Sequence, residues 1–464
     1  MRIPNLKSFL VAILAVLALA GCGGSSSVSN PSGAGQAQVF LVGTDAALPS
    51  VVSCQITITG VTINNGTTDV PVLSTSQVID FAQLNGLHQL IDLNTVPTGT
   101  YGSATVTLSN PVIGFIDTSK NPPAISTMNG TLTQSSVKVN FANPFVLNDA
   151  DLVGLRMEFD LRQSLATDGS GNITGSVNPM FHMQLLAASD ANVSIDDFHA
   201  GVVGVIDANT FKVQGPFGRQ WTVETNANTE FDDPNTPTSS FTTNTIVEVS
   251  GQLNAVTKDI DANEVEVVSS DAFYLGGLFT SIRPAAPSAA TAADLLVRAE
   301  LPDINSVPLS QITTLTLNGS ENYFIANIRN PLTQLHFNNS ALTPGQEVGI
   351  GGKLTTNNGV STLTVHRVVL RRQGQGGAWV PGSTVINNGN AGSFQLNDQW
   401  TAGVLLSSPL TVLTFNNTFF INLNGLSDLT GTQAIPIRVV GFILIDPSTH
   451  QPVLAARAVA KVTS

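Results

Sequence analysis

The chain has 464 residues and a net charge of −13, and 11% of its residues are charged, against about 25% in ordinary soluble proteins. Such acidity repels nucleic-acid phosphates and anionic lipid headgroups, which excludes nucleic acid as a partner. The only cysteines are Cys22 and Cys54, too few for a paired-cysteine zinc site.

The N-terminus reads MRIPNLKSFLVAILAVLALAGC, with Arg2 and Lys7 ahead of an uncharged apolar run from Phe9 to Ala20. That run has the length of a signal-peptide core and falls short of the roughly 20 apolar residues of a spanning helix. It ends in Leu19-Ala20-Gly21-Cys22, which resembles the lipobox of bacterial lipoproteins. The resemblance implies that Leu19, Ala20 and Gly21 are read by a signal peptidase, and that Cys22 is acylated and makes the membrane a partner. Gly23, in place of Asp, resembles the outer-membrane sorting signal. Residues 1–21 are then a signal peptide. Residues 22–36, almost entirely Gly, Ser, Asn and Pro, form a tether that cannot bury apolar surface. With Cys22 lipidated, Cys54 has no disulfide partner, and its strand-like setting Val51-Val52-Ser53-Cys54-Gln55-Ile56 reads as a small core residue.

Beyond the tether, nearly every periodic segment alternates with period two, and turn signals recur about every ten residues. The segment Leu155 to Leu161 places Leu155, Met157, Phe159 and Leu161 on one face, and Arg156, Glu158, Asp160 and Arg162 on the other. One face is dry and one is wet, as in an antiparallel sandwich. Residues 37–190 resemble an uncharacterised domain family of bacterial lipoproteins. The landmarks are Val39-Phe40-Leu41-Val42 into Thr44-Asp45-Ala46, Ile56 to Val61, Val96-Pro97-Thr98-Gly99-Thr100-Tyr101, and Phe159-Asp160-Leu161-Arg162-Gln163-Ser164. Ala47 stands where that family usually has proline. The resemblance implies a β-sandwich and no activity.

The rest of the chain reads as three copies of a smaller β unit, at 196–272, 273–373 and 376–464. Val247 to Leu253, Val348 to Leu354 and Ile437 to Ile443 align on Gly251, Gly352 and Gly441, each followed by a turn and a closing strand. Glycine inside a strand marks a bulge or sharp bend, as at a barrel corner. The first and third copies share Gln220-Trp221-Thr222 and Gln399-Trp400-Thr401, preceded by strands from Phe211 and Phe394. The first copy also resembles a second uncharacterised, barrel-like bacterial family. The expected fold is therefore all-β: an N-terminal antiparallel β-sandwich followed by three small OB-like, barrel-like β domains.

Catalytic signatures are missing. The histidines do not pair at zinc-ligand spacing, and there is no HExxH, GxSxG or Walker loop. Glu158 and Asp160, two apart on a strand, are the best carboxylate pair for glycoside hydrolysis, but Arg156 and Arg162 flank them and favour a solvated charged stripe. Asp259-Ile260-Asp261-Ala262-Asn263 offers oxygen ligands at alternate positions, like the start of a calcium loop. Glu264 stands where glycine belongs, so a plain hairpin turn competes, and no other cofactor is indicated. Trp379, near Gly374-Gln375-Gly376-Gly377, is the aromatic expected to be free for ligand contact. The leading expectation is a non-enzymatic, outer-membrane-anchored envelope protein that binds a protein partner or a glycan. A polysaccharide hydrolase with a deep two-carboxylate cleft, and an architectural spacer, are the alternatives.

Overall fold

Strand accounts for 64% of the residues and helix for 4%, as the period-two patterning demands. The computed structural model describes residues 35–462 apart from 47, 49, 85–88, 118, 121–123, 170–171, 188–194, 216–218, 232–237, 255–256, 303–305, 326–334, 358–359, 399–404 and 407–408. Among the described residues no helix is long and apolar enough to cross a membrane.

The N-terminal domain packs two main sheets face to face. One has the order Phe181–Ala187, Leu152–Asp160, Gln36–Ala46, Gln89–Pro97. The other is built on the long pair Val51–Asn64 and Gly99–Asp117. Leu41, Ile56, Val106, Leu155, Met157 and Phe159 meet between them with no exposed surface. The sandwich is not wholly antiparallel, because Gln36–Ala46 runs parallel to Leu152–Asp160. The charged row also stops earlier than the alternation suggests. Leu161–Ser164 is a helical turn, and Asp160 caps it by accepting from the Gln163 N–H at 3.0 Å, which takes Arg162 out of the row. A second landmark has a similar cause. Tyr101 is buried, and its hydroxyl donates to the Pro97 carbonyl at 2.8 Å, closing the Val96–Tyr101 turn as a tyrosine corner does.

Each following unit has five main strands. In the first they are Ile195–Val205, Thr210–Gln214, Gln220–Glu224, Ile246–Leu253 and Ile260–Ser269. They pair in the ring 1-2-3-5-4-1, with the third and fifth strands parallel, which is the Greek-key closure of an OB-like barrel. The third unit repeats this ring with Gln373–Trp379, Ala391–Asp398, Leu410–Thr414, Pro436–Ile445 and Pro452–Lys461. Its first strand begins at Gln373, which pairs with Gly441, so this unit starts three residues before the expected boundary at 376.

The middle unit has the same order in Tyr274–Arg283, Ala292–Leu301, Ile312–Thr316, Glu347–Asn357 and Val360–Leu370. Its third and fifth strands do not pair among the described residues, so the ring stays open there. The aligned glycines do what their position in a strand predicts. Register shifts fall at Ser250/Gly251, Gly351/Gly352 and Val440/Gly441, all between the fourth and fifth strands. A Cβ on Gly251, Gly352 or Gly441 would lie 2.2, 2.2 or 2.1 Å from the carbonyl oxygen of Asp261, Thr364 or Ala455. Only glycine allows that approach.

Candidate functional site

Several of the buried charges of this charge-poor chain gather where the sandwich meets the first and middle units. Asp80 ends the sandwich strand Gln77–Asp80 and is fixed by its neighbours. Cys54 N donates to Oδ1 at 2.7 Å, and Ser53 Oγ donates to Oδ2 at 2.7 Å. Arg298, on the second strand of the middle unit, comes from the other side. Its Nε lies 3.7 Å from Asp80 Oδ2, and its Nη1 donates to Glu347 Oε2 at 2.5 Å. Its Nη2 donates to the Val52 carbonyl, and Gln55 Nε2 returns a bond to the Arg298 carbonyl at 3.3 Å. Ser53 and Ser310 meet at 3.0 Å across the same seam. Burial pushes the Asp80 carboxyl above the usual carboxylate range, against the pull of Arg298 and the Cys54, Ser53 and Ala82 hydrogen bonds.

Two further clasps complete the junction. Arg219 of the first unit donates to Asp92 Oδ1 of the sandwich at 2.8 Å and lies over the Trp221 ring, 4.7 Å from its centroid. Ser74 N and Oγ donate to Asp92 Oδ2 at 2.7 and 2.6 Å, so this buried carboxylate is fully occupied. His199 of the first unit stacks on Tyr274 of the middle unit, and its Nε2 lies 2.7 Å from Tyr274 Oη and 2.9 Å from Glu248 Oε2. Arg371 Nε closes on the same Glu248 oxygen at 3.0 Å.

Between these clasps is a cavity of about 350 Å³, within the range of small-molecule pockets. The sandwich contributes Gln77, Asp80 and Asp92 to its wall, and the first unit contributes His199, Arg219 and Trp221. Tyr274, Arg298 and Glu300 come from the middle unit. Arg298 and Glu300 are two apart on one strand, so the pleat turns both the same way. Glu300 Oε1 accepts from Ser306 N at 3.0 Å, from Val307 N at 3.3 Å and from Ser306 Oγ. Its Oε2 is buried with no hydrogen-bond partner among the described residues. Asp80 and Asp92 are each held by an arginine and by hydrogen bonds, and His199 by Tyr274 and Glu248. The arrangement is suited to holding a polar ligand.

The residues singled out in the sequence lie elsewhere. Leu19, Ala20, Gly21 and Cys22 are outside the described residues, as is Trp400. Trp379 is not free for a ligand. It is 1% exposed in the core of the third unit, and its indole N–H donates to Thr384 Oγ1 at 3.0 Å. The glycines before it bring its strand against the second strand, which turns the indole into the barrel. Gly377 is so close that a Cβ there would meet the Asn397 carbonyl oxygen at 1.9 Å.

Asp261 is the second residue of the fifth strand of the first unit and accepts from Asn254 Nδ2 at 2.9 Å, as a hairpin residue does. Desolvation and the nearby Asp259 and Asp261 raise the Glu224 carboxyl. Asn263 is exposed, and among the described residues no group of three His, Cys, Asp or Glu side chains is arranged to hold a metal ion. Glu158 is half-buried on its sheet and Asp160 is occupied in capping, so neither lines the cavity. Cys54 is fully buried. Asp80, Arg298, Glu300 and Arg219 carry no motif. The available signal was charge inside an apolar strand, as in Leu295-Leu296-Val297-Arg298-Ala299-Glu300-Leu301.

Two family models match the chain. Residues 36–174 are similar to a family described as a domain of unknown function, DUF4382, and residues 200–266 to another, DUF5666. The first match covers the sandwich up to its last strands, and the second lies within the first barrel. No curated protein matches the chain.

Proposed function

We propose that this is a non-enzymatic, lipid-anchored protein of the cell envelope that holds a sugar-sized unit of a glycan in the junction cavity. The observation that carries the reading is the cavity itself, enclosed by three domains and lined by groups already tied into ion pairs and hydrogen bonds. Gln77, Gln83 and Gln89 line it together with Ser74 and Thr75, a set of amides and hydroxyls suited to hydroxyl groups. The N-terminal pattern ending in Cys22 supports the anchor, and Gly23 supports the outer membrane. A hydrolase needs an acid and a base free of strong partners, whereas Asp80 has Arg298 within 3.7 Å.

The test uses the full chain purified in detergent micelles and a panel of glycans, read by Trp221 fluorescence and by product analysis. Saturable binding with the glycan recovered intact supports the reading. Binding with cleavage makes the protein a hydrolase, and an absence of binding to the whole panel removes the cavity as a glycan site. Crosslinking in the native envelope tests the protein-partner alternative, since one dominant crosslinked protein would move the function to an assembly. Cys22→Ser is expected to release the protein from the membrane fraction, and retention there would refute the anchor.

A further inference from the structure

The charged groups around the junction cavity divide by accessibility. Asp80, Asp92, Arg298 and Glu300 line it but are buried, and each is engaged from within the fold. Arg219 differs from these four. Its side chain is 36% exposed, beside an Asp92 side chain that is 2% exposed. The other accessible polar groups of the wall include the exposed Ser74 and Thr75 and the half-buried Gln83 and Gln89. What the wall offers a ligand is therefore a set of amides and hydroxyls with one arginine, while the carboxylates are withdrawn.

Arg219 is held in a way that leaves one edge unused. Its Nη1 donates to Asp92 Oδ1 at 2.8 Å and to the Leu93 carbonyl, which occupies both hydrogens of that nitrogen. The Trp221 ring, its centroid 4.7 Å away, steadies the guanidinium from one face. Among the described residues nothing accepts from the edge formed by Nε and Nη2. That edge carries two parallel N–H donors, which match the two oxygens of a carboxylate. Asp92 also accepts from Leu93 N, Ser74 N, Ser74 Oγ and Asn94 Nδ2, so its charge is spread over donors other than Arg219.

We infer that the junction cavity selects an acidic sugar unit, a hexuronate, whose carboxylate docks on the Nε–Nη2 edge of Arg219. Its hydroxyls meet Ser74, Thr75, Gln83 and Gln89. The inference rests on the proposed reading of the cavity as a glycan site and adds the charge of the ligand to it. The chain's charge of −13 opposes an anion at long range. That field fades over about 10 Å at 0.1 M salt, whereas the guanidinium contact is made at hydrogen-bond distance. A site built to donate to a carboxylate discriminates against the same ring with that group masked.

Isothermal titration of the full chain in micelles tests this directly. The probes are the methyl glycosides of glucuronate and galacturonate, their methyl esters, and the methyl glycosides of glucose and galactose. At least one of the two acids is expected to bind about tenfold more tightly than its ester and its parent sugar. Arg219→Lys keeps a cation for Asp92 but removes the two-donor edge, and it is expected to erase that advantage. An unchanged unfolding midpoint shows that the variant is folded, and the comparison of acid with ester needs only the unaltered chain. Equal affinity for acids, esters and parent sugars overturns the charge selection and leaves the glycan reading standing. An acid preference that survives in Arg219→Lys overturns the assignment to the Arg219 edge. No binding of any probe overturns the inference, and the wider panel then decides the glycan reading separately.

Discussion

The first and third units close their rings, and the middle unit, with the same strand order, leaves its third and fifth strands unpaired among the described residues. The third strand shows why. Gln220–Glu224 and Leu410–Thr414 alternate between buried positions and half-buried or exposed ones, and each pairs in parallel with its fifth strand. Ile312–Thr316 buries Leu315 alone and leaves Ile312 45% exposed. The core of the middle unit is completed from both neighbours, while that of the closed first unit takes in Phe40, Val42, Leu90 and Leu93 of the sandwich. Ile246 and Val268 enter the middle core from the first unit, and Phe442, Leu444, Val453 and Ala455 from the third. The third unit's own core draws on its own residues only. The open unit is the one that carries Arg298, Glu300, Tyr274 and Arg371 to the junction.

This contrast can be broken at its strongest point. Phe442→Ala removes an aromatic that the third unit lends to the middle one. It is expected to cost about 3–5 kcal/mol and to speed amide exchange in the Tyr274–Arg283 and Glu347–Asn357 strands. Faster exchange confined to the third unit would show that the middle core is self-sufficient. Arg298→Ala removes the guanidinium that Glu347 and the Val52 carbonyl share and is expected to cost about 3–5 kcal/mol in denaturant unfolding.

The bulge glycines give a finer test. Gly251→Ala and Gly441→Ala force a Cβ onto a carbonyl oxygen inside a closed ring, at an expected cost of about 1–3 kcal/mol. Gly352→Ala makes the same collision in the open ring, where the fifth strand has no third-strand partner to lose, and is expected to cost less. Equal losses would mean that closure does not stiffen the bulge.

Asp80 carries a pH signature. Its carboxyl is raised in the folded protein, so its contribution is fully present below the ordinary value of 3.8 and is lost as pH rises through the raised value. Asp80→Asn should flatten that decline in a stability–pH profile, and an unchanged profile would remove Asp80 as its source. The smallest effect is expected at the exposed pair Arg283–Asp294 of the same middle unit, where Arg283→Ala should change stability by less than about 1 kcal/mol.

Much of the architecture was legible because its causes are local. The face of Leu155, Met157 and Phe159 follows from the two-residue pleat. Gly251, Gly352 and Gly441 announce bulges because two residues opposite one need a backbone without a Cβ. The repeated phenylalanines Phe211 and Phe394 are both fully buried on second strands. The charged row ends at Asp160 and does not run on to Arg162, since alternation alone does not show that an aspartate will cap a helical turn instead of extending a strand.

What the sequence by itself determined was an acidic, charge-poor, all-β chain with one sandwich-like segment and three repeats hinged on glycine bulges. Ring closure, the burial of Trp379 and the junction cavity were decided only by tertiary structure. Arg298 reaches Val52 across 246 residues of sequence, and Arg219 reaches Asp92 across 127. No pattern within a window of residues encodes such pairings. Whether a charge is buried, paired or left with an open oxygen depends on surfaces that meet only after each unit has folded.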